Sequence, residues 1–329
     1  MSNVRIKGVD IYHPNHAIDN DHFLEHFSSK GKDIKRFLEH MGRKSRYIID
    51  NDHENGLTMG IEAAKRVLKK LNLSGKDIDM IVFSTQVPET TFPANAMFLH
   101  DAIGADHDTI ILDSNANCAG MTVAVEQACH YMKSNQHVQT TLVVGSDYNS
   151  LISNPEDEIT YSNYGDASAA VVLEKTEEDC GFIDALYFTD SVNRDKILYP
   201  GNGLTNLMQN ATDENKYIKW LPFDGNIALP PTYDMIERLL ERNHLETKDI
   251  KAYCFSQFSL ANILKIQDNF SLEDRQIVYI GDTFGYTGTS SPFIALHAGI
   301  ESGQVKRGDH VLFWTIGAGY QLIAMLFKY

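Results

Sequence analysis

Residues 110–121 read Ile-Ile-Leu-Asp-Ser-Asn-Ala-Asn-Cys-Ala-Gly-Met and constrain the fold more than any other stretch. An apolar run ends in small polar residues, Cys118 follows, and a segment with the makeup of a helix continues to about Met132. The order is strand, tight turn, helix, with the cysteine at or near the helix start, which is the repeating unit of an α/β protein. Such a place suits a nucleophile. The first free N–H groups and the positive end of the helix dipole favour thiolate over thiol. They can also donate to the oxyanion formed when a thioester is attacked. Taken alone, a cysteine in an α/β protein is more often a small buried hydrophobe, so its surroundings must decide.

The 329 residues suffice for a large core or two domains. A net charge of −15 argues against nonspecific binding to nucleic acid or anionic lipid. No early apolar run has the length of a signal peptide and no later one could span a bilayer, so the expectation is a cytoplasmic protein without membrane insertion. Cys118, Cys129, Cys180 and Cys254 show no CxxC spacing and read as reduced thiols, leaving Cys118 free to react. The thirteen histidines are scattered and form no HExxH, so no metal set is expected.

Along the chain, Val4–Tyr12 reads as a strand, and 21–27 and 33–40 as short helices. Lys30, Lys32, Lys35, Arg36, Arg43, Lys44 and Arg46 make the densest basic region, either a solvated helix face or a phosphate site. Asp50 to Gly56 imitates a calcium loop but has Asn55 at the sixth place and Ile61 at the twelfth, so it reads as a turn before a helix over 57–71. Buried strands follow at 78–85 and 141–145, with Phe92-Pro93 in the loop after the first. Gly165-Asp166 reads as a structural turn before a strand at 171–173. A second half opens near Gly181. Residues 193–229 carry little periodicity and read as a long excursion over the surface, with room to cover a pocket. A helix over 232–242, a strand over 252–255, a further helix and an extended 276–280 lead to the glycine-rich loop 281–291. A helix over 292–301 and two strands about Gly317-Ala318-Gly319 close the chain. Each half runs βαβαβ, which predicts parallel sheets covered on both faces. No glycine-rich loop has GxGxxG between strand and helix, and no P-loop lysine follows one.

Four motifs in order carry a resemblance: the Cys118 unit, Gly165-Asp166-Ala-Ser-Ala-Ala, the loop before the Ser290 helix, and Gly317-Ala318-Gly319. Together they resemble β-ketoacyl-acyl-carrier-protein synthase III, of the thiolase superfamily. The resemblance implies a five-layered αβαβα fold with two similar halves, residues 1–175 and 176–329, and a homodimer. It implies that Cys118 takes an acyl group from a coenzyme A or carrier-protein thioester, a substrate rather than a cofactor. Backbone N–H groups of Cys118 and of the closing turn, at Ala318, would hold the oxyanion. Phe92 matches a segment that reaches toward the partner's acyl pocket. Arg46 falls in the basic segment near the coenzyme A entrance. The tryptophan expected a few residues earlier is absent, and Arg36 stands near its position.

The departure from the family pattern lies in the second half. The family completes its site with a histidine before Gln/Ser-Ala-Asn and an asparagine in Gly-Asn-Thr-Ser. Here an ungapped alignment puts Ser256 at the histidine position and a shifted one puts Ser259 there, while Tyr286 takes the asparagine position. Losing carbon dioxide from a malonyl thioester develops enolate charge that needs aimed donors, each worth about 10²–10³ in rate. Serine and tyrosine can donate, but serine cannot act as a base near neutral pH. The expectation is an acyltransferase that acylates Cys118 and passes the group to an acceptor, with altered decarboxylation. A true synthase III using Ser256 and Tyr286 as variant donors, and a non-catalytic partner subunit of a synthase, are the competing readings.

Overall fold

The computed structural model describes residues 3–210 and 212–329. Five strands form the first sheet: β1 (Asn3–Tyr12), β2 (Met80–Ser84), β3 (Ile110–Ser114), β4 (Thr140–Asp147) and β5 (Ala167–Thr176), in the order β1-β5-β4-β2-β3. Four form the second: β6 (Gly181–Thr189), β7 (Ile250–Phe255), β8 (His310–Gly317) and β9 (Gln321–Lys328), in the order β7-β8-β9-β6. The second sheet repeats the first with its fifth strand reduced to one parallel bridge, Tyr253 to Ile277. That is the extended 276–280 segment, standing where β3 stands in the first sheet.

The sheets are mixed, which corrects the expectation of parallel ones. Strands β3, β2 and β4 run parallel, as do β7 and β8, but β5 is antiparallel to β4 and β1, and β9 to β8 and β6. The reason is connection length. Only Ala318, Gly319 and Tyr320 separate β8 from β9, too few for a crossover and enough for a hairpin.

Three helical layers alternate with the sheets. Helices α1 (Gly56–Leu71) and α2 (Asn95–Ile103) cover the outer face of the first sheet, packing Ala64, Val67 and Leu99 on Ile81 and Phe83. Helices α3 (Gly120–Ser134), α4 (Leu229–Arg242), α5 (Leu260–Phe270) and α6 (Ser291–Glu301) make the other two layers. Ile236 and Leu239 of α4 and Ile263 and Ile266 of α5 pack on Tyr253 and Phe255 of the second sheet. The α3 and α6 helices lie between the sheets, where Met121, Val125, Phe293 and Leu296 meet Val82, Val143, Cys254 and Phe313 in one core. Alternate strand residues such as Ile81 and Val82 thus serve opposite cores, and both are buried. Sandwiched helices must be apolar nearly all round, and the run from Pro292 to Leu296 supplies that for α6. The α1 helix needs an apolar face on one side alone, and the pseudo-calcium loop supplies its start. Asn55 caps it in a reciprocal box with Thr58.

Candidate active site

Parallel strands carry functional groups at their carboxyl ends, and here three such ends converge. β3 delivers Cys118, β2 delivers Gln86, and β4 ends on Asp147. Cys118 sits in a single 3-10 turn, Asn117–Ala119, and α3 begins at Gly120. Helix α6 meets α3 head to head. Thr289 Oγ1 accepts the Met121 N–H at 2.5 Å, and the Thr289 N–H donates to Asp147 Oδ2 at 2.9 Å. The glycine-rich loop permits this approach: Gly288 has φ +64°, and a Cβ there would lie 2.3 Å from Asp147 Oδ2. Asp147 also accepts from Thr85 Oγ1 (3.1 Å) and the Gln86 N–H (2.9 Å), yet burial pushes its carboxyl up to about 6.

The Cys118 thiol donates to Gln86 Oε1 at 3.7 Å, and Gln86 Nε2 donates to Asn149 Oδ1 at 3.1 Å. Burial pushes the thiol up to about 11. The Tyr286 hydroxyl and the N–H groups of Cys118 and Ala318 pull it down, and the charge of Asp147 adds to the rise. This corrects the expectation of a thiolate favoured by the helix start. The Met121 N–H, in the first turn, is spent on Thr289, and desolvation outweighs what remains.

Cys118 opens into a cavity of about 410 Å³. Gln86, Asn117, Tyr164, Tyr286 and Ala318 surround its reactive end, and Ile152, Ile197, Ile218, Trp220, Phe223 and Phe258 are among its apolar walls. The two ends of the 193–229 excursion, 193–199 and 218–229, cover it, joined by a two-residue strand pair, Ile197–Leu198 with Lys219–Trp220. Trp220 lies parallel to Phe258 (5.4 Å between centroids), and Phe258 meets Tyr286 edge-on (5.2 Å). Burial raises both the Tyr164 and Tyr286 hydroxyls well above their ordinary value, so both remain protonated donors. Among the described residues, no histidine lines the cavity, and no three His, Cys, Asp or Glu residues are grouped to hold a metal ion.

Of the expected site residues, Cys118, Tyr286 and Ala318 come together on the cavity wall. Ser256 is buried beside Tyr286, off the wall, with no partner for its Oγ in hydrogen-bonding geometry. Ser259 caps α5, its Oγ accepting from the Asn262 N–H. Phe92 is 87% exposed and off the cavity wall. Arg36 is exposed on the short helix Lys35–Met41, also off the wall. Arg46 does not face a substrate entrance. It is fully buried, stacks on Phe23 at 4.1 Å, and donates to Asn20 Oδ1 and the Ser162 carbonyl. Arg43 is also buried and donates to Asn163 Oδ1 and to the carbonyls of Gln257, Phe258 and Gly281. Lys30 and Lys32 pair with Glu156 and Glu158. Much of the basic region is therefore internal bonding. Asp166 bears out the structural-turn reading, accepting from the Ile49 N–H and from Ser150. Tyr161 packs against Phe23 and Phe27, away from the thiol. Gln86 was missed, although its place just after a buried parallel strand is a usable signal.

A five-layered αβαβα fold of two similar halves, with a cysteine turn where the inner helices meet, defines a thiolase-like protein. The family model of 3-oxoacyl-[acyl-carrier-protein (ACP)] synthase III matches residues 112–191, and that of its C-terminal part matches residues 240–329. The beta-ketoacyl-[acyl-carrier-protein] synthase III of Clostridium perfringens (strain SM101 / Type A) is 26% identical over 332 residues, covering 100% of both chains. Among solved structures, the 3-oxoacyl-[acyl-carrier-protein] synthase III of Aquifex aeolicus VF5 superposes with a TM-score of 0.86 at 23% identity, over 99% of this chain and 100% of that one. The priming beta-ketosynthase from the R1128 polyketide biosynthetic pathway gives 0.89 at 20% identity, over 99% and 96%. The chain belongs to the 3-oxoacyl-acyl-carrier-protein synthase III family. No helix of the described residues is long and apolar enough to cross a membrane.

Proposed function

We propose that the protein is an acyltransferase. Cys118 takes the acyl group of an acyl-coenzyme A or acyl carrier protein and hands it to an oxygen, nitrogen or already activated carbon nucleophile, rather than to a carbanion made by decarboxylating malonyl. The observation that carries this reading is the set of groups around the thiol. It opens on an apolar cavity and faces two phenols and a carboxamide, with no imidazole among the lining residues. An acyl chain can lie along Ile152, Ile218 and Trp220. An enolate forming opposite the sulfur would meet the Tyr286 hydroxyl alone of the expected pair, because Ser256 stands off the wall. One missing donor costs about 10²–10³ in rate.

Attack on the thioester forms the Cys118 S–C bond, breaks the bond from the acyl carbon to the leaving sulfur, and sends the Cys118 proton to that leaving thiol. The N–H groups of Cys118 and Ala318 both stand at the sulfur, a suitable place to hold the oxyanion. No cofactor enters the step. The protein would act in the cytoplasm as a homodimer. Supporting the dimer are Phe92, projecting from the loop after β2, and Leu112, 38% exposed on the edge strand β3. The two halves, 1–175 and 176–329, would divide the work, the first carrying the nucleophile and the second Tyr286.

A second reading, ordinary decarboxylative condensation, draws on the Tyr286 hydroxyl, which stands at the sulfur and can donate to an enolate. Two measurements separate the readings. Incubation with acyl-coenzyme A should add one acyl mass to the wild type and none to Cys118→Ala. Malonyl thioester added afterwards should release no carbon dioxide. Stoichiometric release would establish the second reading. No adduct, or an equal adduct on Cys118→Ala, would end both.

A further inference from the structure

The backbone N–H of Cys118, the donor an attacked thioester oxygen would need, is already occupied. It donates to Asn117 Oδ1 at 2.7 Å, within the 2.7–3.1 Å that an oxyanion would take up. The same carboxamide reaches across the site, its Nδ2 donating to the Ala318 carbonyl at 3.2 Å. It thus bridges the nucleophile turn and the closing turn. Two backbone features accommodate it. Asn117 has φ +42°, a left-handed conformation that asparagine tolerates better than most residues. At Gly317 a Cβ would lie 2.4 Å from Asn117 Oδ1, so any side chain there would evict the carboxamide. Asn117 also lines the cavity, so its side chain has space to swing into.

We propose that Asn117 is a latch on the oxyanion hole, a positioning residue that acts through the Cys118 N–H. The inference rests on the reading that Cys118 is acylated. An arriving thioester displaces the carboxamide, its carbonyl oxygen takes over the N–H, and sulfur attack follows with the atom and proton transfers given above. Once the coenzyme A thiol has left, the carboxamide returns. Hydrolysis of the acyl-enzyme needs the same oxyanion hole, so the closed latch protects the acyl group from water until an acceptor arrives.

The test compares two reactions of one sulfur. Acylation by an acyl-coenzyme A builds an oxyanion; alkylation by iodoacetamide does not. Asn117→Gly keeps the left-handed backbone and removes the carboxamide. Asn117→Asp keeps the shape and holds the N–H more strongly, since its acceptor is charged. Both rates are read by intact mass. The ratio of acylation to alkylation should rise about tenfold in Asn117→Gly, the worth of one hydrogen bond, and fall in Asn117→Asp. The acyl-enzyme of Asn117→Gly should also hydrolyse faster. A purely structural Asn117 would move both reactions together. An adduct on wild type with an unchanged or lower ratio in Asn117→Gly overturns the latch and leaves the acyltransferase reading standing. If Asn117→Gly does not fold, an unchanged or higher ratio in Asn117→Asp overturns it equally. No adduct on wild type or on either variant overturns latch and function together.

Discussion

Cys118 rests as a thiol, and that fixes how its reactivity depends on pH. With the thiol near 11, only about 10⁻⁴ of it is thiolate at pH 7. The thiolate fraction grows as pH rises toward that value. Iodoacetamide alkylation of Cys118 should therefore climb about tenfold per pH unit from 7 to 10, followed by intact mass, with no plateau. A plateau near pH 8 would mean that something in the site generates the thiolate. The Tyr286 hydroxyl opposes the upward shift. Removing it in Tyr286→Phe should slow alkylation at pH 8 by about 2- to 10-fold, the range expected for one hydrogen bond. Faster alkylation in that variant would show that the phenol shields the sulfur instead of assisting it.

The elements that matter most are the two inner helices, because their meeting point fixes the Cys118 turn. Thr289→Val keeps the shape of the contact but leaves the buried Met121 N–H without an acceptor. Chemical denaturation should report a loss of about 1–3 kcal/mol, and acylation of Cys118 should fall with it. An unchanged midpoint and rate would mean that the bond from α3 to the turn before α6 does not hold the Cys118 turn. Elements of this kind were legible in the sequence where one local pattern decided them. The apolar run from Ile110 into small polar residues marks strand, turn and helix, and Pro292 after the glycine-rich loop marks the first turn of α6. The basic region was not legible. Whether Arg43 is a solvated cation or a buried clamp depends on acceptors 120 and 214 residues away, Asn163 and Gln257, and no local pattern announces them. The same holds for the thiol: helix position is local and argues for thiolate, while the burial that overrides it comes from segments far along the chain that close around the sulfur.

For the whole molecule, two sheets around one inner helical layer put the nucleophile turn of the first half against the closing turn of the second. The 193–229 excursion roofs the resulting cavity with its two ends, 193–199 and 218–229. Its aperiodic composition marked it as something other than a helix or strand, but its partners, Phe258 and Tyr286, lie in the other strand-to-helix loops and could not be read from it. The exposed edge of β3 and Phe92 predict association. In sedimentation the protein should run at twice the 37.0 kDa chain mass, and Leu112→Glu should shift it toward the monomer. A wild-type monomer would contradict the proposed dimer without touching the chemistry of Cys118. That chemistry is tested most directly by a chase experiment read by intact mass: load the protein with acyl-coenzyme A, then add malonyl thioester. An acyl mass should appear on Cys118 and persist through the chase; an adduct that never forms, or one discharged by malonyl with carbon dioxide released, would contradict transfer without decarboxylation.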